Sequence, residues 1–157
     1  MAVFKQTFTR DQSLQKLKHY CAYQERCHQE VKEKLYSLGL HRADVDEIIS
    51  QLIEENYLNE ERFAIQYAGS KFRMKHWGKV KIRYSLKQKQ VSDYCIRKAL
   101  IQIDQSSYLS TLEKLAEQKR ASLTDESNVF VKMRKMQDYL LQKGYEADLV
   151  KQFIRDD

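Results

Sequence analysis

Residues 31–49 of the chain read VKEKLYSLGLHRADVDEII, and the same apolar pattern returns in IRYSLKQKQVSDYCIRKAL at residues 82–100 and in MQDYLLQKGYEADLVKQFI at residues 136–154. The three segments align without a gap, at offsets of 51 and 54 residues. Five columns of this alignment are apolar in every copy: Val31, Ile82 and Met136; Leu35, Leu86 and Leu140; Leu40, Val91 and Tyr145; Val45, Ile96 and Val150; Ile49, Leu100 and Ile154. The repeated spacing predicts a helix, a short turn and a second helix in each copy.

Another amphipathic helix precedes each of these pairs. Apolar residues at helical spacing lie around Leu14, Phe63 and Leu109. Asn59 is a suitable N-cap for the second of these helices, and Ser92 is a suitable N-cap for the last helix of the same repeat. The sequence therefore predicts an all-α fold, an elongated and curved tandem array of three three-helix repeats. The predicted boundaries are an N-terminal tail over residues 1–11 and repeats over residues 12–57, 58–104 and 105–157.

The composition agrees with an all-α fold. The 157 residues include no proline and four glycines, where average usage predicts about eight and about eleven. Sandwiches and barrels need many tight turns, which favour these two residues, so the composition argues against an all-β fold. Gly39 and Gly144 are expected to end the first helix of their pairs, because glycine tolerates the left-handed conformation beyond a helix.

Cysteine usage and hydropathy bear on the compartment. The three cysteines are an odd number within helical patterns, which argues against a disulfide scaffold. The first residues lack the apolar core of a signal peptide, and no stretch approaches the roughly 20 apolar residues of a membrane span. We therefore expect a cytoplasmic protein that does not cross a membrane.

The positive charge is concentrated in the middle repeat. Residues 58–104 contain 11 Lys and Arg against 4 Asp and Glu, a net charge of +7, whereas residues 1–57 carry −1 and residues 105–157 are neutral. No acidic residue occurs between Arg62 and Ser92. Such a bias predicts contact with nucleic acid or with an acidic protein surface. The alternative is a solvated basic face, with Trp77 as a packing residue between helices.

The acid-free stretch supplies the candidate contact residues. Basic residues contact phosphates by charge, and aromatic rings stack on bases or on apolar patches of a partner. Lys79, Arg83 and Lys87 are spaced by four, which places them on one face of a helix. The predicted contact residues are Lys71, Arg73, Lys75, Trp77, Lys79, Lys81, Arg83 and Lys87.

Catalytic and metal-binding patterns are absent from the sequence. It has no glycine-rich phosphate loop, no Gly-x-Ser-x-Gly and no Cys-x-x-Cys. His19 and Cys21 stand near Cys27 and His28, but two residues apart on a helix point about 200° away from each other. We therefore predict no catalytic residue, no metal site and no cofactor.

A second hypothesis is a free-standing DNA-binding protein of the helix-turn-helix type. The turn that ends at Ser92 is compatible with such a unit, and a recognition helix would follow it. That helix begins with Ser92, Asp93 and Tyr94. A recognition helix presents base-reading side chains at its start, and Asp93 would repel phosphate there. The sequence therefore favours a helix-turn-helix DNA-binding protein less than a protein that contacts its partner through the basic stretch.

The central stretch resembles a known family. Residues 58–100, LNEERFAIQYAGSKFRMKHWGKVKIRYSLKQKQVSDYCIRKAL, resemble the core of the RecX family of recombinase regulators. The residues that carry this resemblance are Leu58, Glu60, Glu61, Arg62, Phe63, Ala64, Gly78, Ile82 and Leu86. It extends over residues 12–155 and includes Lys143-Gly144-Tyr145. Two departures are Cys27, at a position where the family has a small hydroxyl residue, and Lys89-Gln90, which replaces Lys-Gly.

The resemblance implies a regulatory function. A member of this family is expected to be a curved array of three-helix repeats that binds in the groove of a RecA–single-stranded DNA filament. It would restrain ATP turnover, strand exchange and co-protease activity, and so regulate homologous recombination, DNA repair and the SOS response. The implied partner is the RecA filament, with single-stranded or double-stranded DNA as a second partner, and a groove binder can act as a monomer.

Overall fold

The chain is all-α, as the sequence predicts. The structure is a computed structural model and describes residues 8–154. This range contains nine helices and no strand. The helices are α1 (Arg10–Tyr23), α2 (His28–Ser37), α3 (Arg42–Glu54), α4 (Glu60–Lys75), α5 (Lys79–Gln88), α6 (Asp93–Ile101), α7 (Gln105–Ser122), α8 (Val129–Gln142) and α9 (Ala147–Phe153).

Local hydrogen bonds fix where several helices begin. Asn59 caps α4 by accepting a hydrogen bond from the backbone N–H of Arg62 at 2.9 Å. Ser92 caps α6 by accepting from the N–H of Cys95 at 3.3 Å. Both predicted caps are therefore confirmed. Each supplies a partner for a backbone donor that the helix itself leaves free.

The helices form three units, which we call the first (α1–α3), second (α4–α6) and third (α7–α9) unit. The first unit encloses its own hydrophobic core, in which Leu17, Leu35 and Ile48 are fully buried. A second core runs continuously through the other two units, so those two share their apolar faces, and Cys27 from the start of α2 also packs in it. The exact repeat boundaries at residues 57/58 and 104/105 stay a prediction.

The turn between the paired helices is alike in all units. Gly39, Gln90 and Gly144 occupy equivalent positions and have positive φ angles of 87°, 61° and 100°. The two glycines end their helices as predicted. Gln90 adopts the same left-handed conformation although its Cβ disfavours it. The repeat geometry therefore overrides the local preference of this residue.

Polar contacts join the first unit to the second. The Arg62 guanidinium donates to a carboxylate oxygen of Glu25 and, at 3.2 Å, to the side-chain oxygen of Asn56. The imidazole of His28 lies 3.3 Å from the carboxylate of Glu60.

In the part of the chain that the structure describes, no helix is long and apolar enough to cross a membrane.

Candidate partner-binding surface

The predicted contact residues lie on the last turns of α4, the following loop and α5. We call them the basic surface: Lys71, Arg73, Lys75, Trp77, Lys79, Lys81, Arg83 and Lys87. Arg73, Lys75, Arg83 and Lys87 are exposed, and the other four are half-buried. The acid-free stretch thus reaches the surface as a set of cations, but not all of them are equally free to bind.

Trp77 lies between two lysines. The ammonium of Lys71 is 5.1 Å and that of Lys81 is 4.7 Å from the centre of the indole ring. Both distances suit cation–π attraction. The ring is half-buried and also packs against the second core. Trp77 therefore has the packing role named above as the alternative, and it also holds two cations at the surface.

The start of α5 is fixed by the third unit. The backbone N–H of Gly78 donates to the carbonyl oxygen of Lys143 at 2.8 Å, and that of Val80 donates to the carbonyl oxygen of Gly144 at 2.9 Å. The N–H of Lys79 donates to the Tyr108 hydroxyl oxygen at 2.9 Å. These groups would otherwise lack partners at a helix N-terminus. The position of α5, and of its cations, therefore depends on the third unit.

Tyr108 is the centre of this junction. It is fully buried, and its hydroxyl donates to the carboxylate of Glu146. Its ring lies 5.1 Å from that of Tyr145, whose hydroxyl donates to the carbonyl oxygen of His76 at 2.8 Å. Burial, and the hydrogen bond to Glu146, raise the pKa of the Tyr108 hydroxyl well above its usual range. Tyr108 therefore stays protonated and can donate and accept at the same time.

Two further basic residues, Lys79 and Arg73, are partly engaged within the chain. The Lys79 ammonium lies 4.8 Å from the centre of the Tyr108 ring. The Arg73 guanidinium folds back along α4 over Gly69. Lys79 and Arg83 both lie on α5, but Lys79 leans against the junction while Arg83 is exposed. On the predicted face of α5, Lys79 is therefore held against the Tyr108 ring, whereas Arg83 is free to contact a partner.

The outer side of α5 also carries exposed apolar residues that are not among the predicted contact residues. Val80 is 54% exposed and Tyr84 is 65% exposed, and they stand one helical turn apart next to Arg83. Their spacing of four was a usable signal, but without a known helix orientation it indicated core as well as surface. Exposed aromatic and basic side chains together suit a partner that is both anionic and partly apolar.

The start of α6 is acidic. Ser92 caps this helix, and Asp93 in its first turn lies 3.7 Å from the Lys87 ammonium in an exposed ion pair. A carboxylate at this position is favourable for the helix but unfavourable for the binding of phosphate.

The described residues show no metal site. Residues 8–154 contain no group of three or more His, Cys, Asp or Glu side chains that could hold a metal ion.

Comparison with protein families matches most of the second and third units. A family model described as "RecX, second three-helix domain" matches residues 59–100. Another, described as "RecX, third three-helix domain", matches residues 106–154. Together they cover more than half of the chain and coincide with α4–α6 and α7–α9.

Individual proteins agree with these matches. A regulatory protein RecX of Clostridium perfringens is 34% identical over 127 residues, which are 80% of this chain and 59% of the relative. One of Bacillus cytotoxicus is 30% identical over 132 residues, 83% of this chain and 48% of the relative. The chain thus spans about half the length of the curated relatives it matches. The crystal structure of RecX from Lactobacillus salivarius superposes with a TM-score of 0.85 at 27% identity, covering 92% of this chain and 94% of the other.

Proposed function

The chain belongs to the RecX family, and from this premise we propose that it regulates RecA by binding the RecA–single-stranded DNA filament. Bound there, it lowers the ATPase, strand-exchange and co-protease activities of the filament and thereby regulates recombination and DNA repair. It acts by binding and not by catalysis, needs no cofactor, and does so as a monomer in the cytoplasm.

One observation carries this proposal: the second unit exposes cations from a stretch that contains no acidic residue to neutralise them. Residues 62–92 contain no acidic residue, and Arg83 and Lys75 project from this stretch into solvent. A filament of protein on single-stranded DNA offers phosphates and acidic side chains to such a surface. The exposed Val80 and Tyr84 provide apolar contact area beside these cations.

The junction with the third unit supports a fixed geometry for this contact. The backbone of α5 loses little freedom on binding because the start of the helix is already held by Tyr108 and Gly144. Pre-organisation of this kind lowers the entropic cost of association. We therefore propose that α5 and the end of α4 form the contact, with the eight residues of the basic surface as its members.

A filament assay tests the proposal. Purified chain is added to RecA assembled on single-stranded DNA, and ATP hydrolysis and strand exchange are followed. We expect both to fall, and to fall less with Lys79→Ala/Arg83→Ala. The matched control is Lys114→Ala/Lys151→Ala, which removes the same charge from exposed positions of the third unit. Unchanged ATPase and strand exchange with the wild-type chain would refute the proposal.

The salt dependence of filament binding separates the two partners. If Lys79 and Arg83 contact phosphates of single-stranded DNA, their removal should reduce the slope of log affinity against log salt by about 0.7 for each contact. A weaker affinity with an unchanged slope would instead assign these residues to a contact with RecA. The helix-turn-helix alternative predicts sequence-specific retention of a duplex without RecA, against which the acidic start of α6 argues.

A further inference from the structure

The first unit contains a groove between α1 and α2 that the proposed function does not use. Its cationic and aromatic part, which we call the α1–α2 groove, is lined by six residues: Lys16, His19, Tyr20, Tyr23, Arg26 and Lys34. Its floor includes Leu38. We propose that this groove is a separate binding site for single-stranded nucleic acid, in which a base stacks on tyrosine and the flanking cations contact phosphates.

Cations and rings are already combined in the groove. The guanidinium carbon of Arg26 lies 3.6 Å from the centre of the Tyr20 ring, and its Nε donates to the Tyr20 carbonyl oxygen at 3.0 Å. The Lys34 ammonium lies 5.9 Å from the same ring. Arg26 is thus held close over an aromatic face, and a guanidinium group in such a place can also take part in cation–π contacts with a base.

Tyr23 offers the free ring. It is the last residue of α1 and is 83% exposed. Such exposure is unfavourable for an aromatic ring, because removing the ring from water lowers the free energy. Tyr20, by contrast, is half-buried and covered by Arg26. Tyr23 is therefore the residue on which a base can stack without displacing any side chain, next to the platform that Tyr20 and Arg26 already form.

The charge of the groove contrasts with that of its unit. Residues 1–57 carry a net charge of −1, yet Lys16, Arg26 and Lys34 line the groove and no Asp or Glu does. The nearby Glu30 accepts a hydrogen bond from the backbone N–H of Cys27 and so is engaged at the start of α2. Four other acids of the unit lie on α3: Asp44, Asp46, Glu47 and Glu54. Glu25 pairs with Arg62, and Asp11 on α1 and Glu33 on α2 do not line the groove. The groove is thus complementary to an anionic chain.

Single-stranded nucleic acid fits this combination better than an acidic peptide does. Every base presents a flat face that can stack on Tyr23, and the phosphates of the strand carry the negative charge that the flanking cations attract. An acidic peptide supplies charge but no ring in each residue. The groove lies in the first unit and shares no residue with the basic surface. Binding of nucleic acid to it can therefore be tested in the absence of RecA.

Fluorescence anisotropy with a short fluorescein-labelled oligodeoxythymidylate, in the absence of RecA, tests the site. The Lys79→Ala/Arg83→Ala chain serves as background, so that the second unit contributes less. We expect Tyr23→Ala to weaken binding about five- to tenfold, the lower end of the effect of removing a stacked ring. Tyr23→Phe, which keeps the ring, should bind as its background does.

The lysines are tested by charge-matched variants. Lys16→Ala/Lys34→Ala should reduce the slope of log affinity against log salt by about 1.4, because each lost contact to a single strand contributes about 0.7. The control Lys114→Ala/Lys151→Ala should leave the slope as it was. Circular dichroism of each variant verifies that the helices are intact.

Two results would overturn the inference. One is an affinity of Tyr23→Ala and of Lys16→Ala/Lys34→Ala equal to that of their background. The other is displacement of the oligonucleotide by oligoglutamate at equal charge concentration, which would make the groove a site for acidic peptides. Failure of the chain to inhibit RecA would leave this result unaffected, since no RecA is present in the assay.

Discussion

Gly78 and Gly144 lie against each other where the second unit meets the third. A Cβ atom on Gly78 would be 2.3 Å from both the carbonyl carbon and the carbonyl oxygen of Gly144. A Cβ atom on Gly144 would in turn be 2.2 Å from the Cβ atom of Lys81. The two glycines thus allow the start of α5 to approach the turn between α8 and α9 closely enough for backbone hydrogen bonds. The orientation of the basic surface depends on this contact.

Gly78→Ala should therefore destabilise the chain. The added methyl group meets backbone atoms, which cannot move aside as a flexible side chain can, and we expect a loss of about 3 kcal/mol in the free energy of unfolding. Urea denaturation followed by circular dichroism measures it. The matched control is Gly69→Ala within α4, where the nearest atoms belong to the Arg73 guanidinium. That change should stabilise by about 0.5–1 kcal/mol, since alanine favours a helix interior. Equal effects of the two changes would contradict the close contact.

Gln90→Gly should stabilise the chain. Gln90 has a φ of 61° at a position where the equivalent residues, Gly39 and Gly144, are glycines. Relief of the left-handed conformation is worth about 1 kcal/mol. Thermal or urea unfolding measures this gain, and Gly39→Ala, at a φ of 87°, should lose a similar amount. A neutral or destabilising Gln90→Gly would show that the repeat does not strain this residue.

The elements that follow from local pattern could be predicted from the sequence. Leu35, Leu86 and Leu140 are fully buried, as their shared column predicts. The caps at Asn59 and Ser92 were predictable because capping depends on residues three positions apart. Periodicity and capping are short-range properties, and a single sequence contains them.

The junction could not be predicted in this way. The hydrogen bond from Lys79 to Tyr108 joins residues 29 positions apart, and nothing near either residue indicates the other. Tyr108 was not selected because its column lies outside the repeated pairs. For the same reason the sequence does not predict which basic side chains are free to contact a partner. Arg83 is exposed, whereas the Arg73 guanidinium folds back over Gly69.

Tyr108→Phe isolates the polar part of the junction. It keeps the ring but removes the oxygen that accepts from the Lys79 N–H and donates to Glu146. Two half-buried polar groups then lose their partner, and we expect a loss of about 1–3 kcal/mol in the free energy of unfolding. Tyr84→Phe, at an exposed ring of α5, is the control and should be neutral. If Tyr108→Phe were equally neutral, the hydroxyl would not hold α5 in place.

The three free thiols should differ in reactivity. Cys95 is partly exposed, whereas Cys21 and Cys27 are buried. Burial raises the pKa of the Cys21 thiol to about 11 and that of Cys27 to about 12. Because the thiolate is the reactive form, a thiol-specific reagent at neutral pH should titrate Cys95 in the folded chain and all three after denaturation. Rapid reaction of Cys27 before unfolding would contradict its placement in the second core.

Alkaline pH should destabilise the chain through the same buried groups. Cys27 has an ordinary thiol pKa of 9.0 when unfolded and about 12 when folded. The folded state therefore keeps a proton that the unfolded state loses, so this stabilisation is complete below about pH 9 and is lost as the pH rises towards 12. Linkage gives a decrease of about 1.4 kcal/mol per pH unit for one such group. Tyr108 acts in the same direction above pH 10, since burial raises its pKa too.

The urea midpoint measured between pH 8 and pH 10.5 should fall, and Cys27→Ala should flatten the decline whatever its effect at neutral pH. A midpoint constant over this range would mean that these groups reach water in the folded chain.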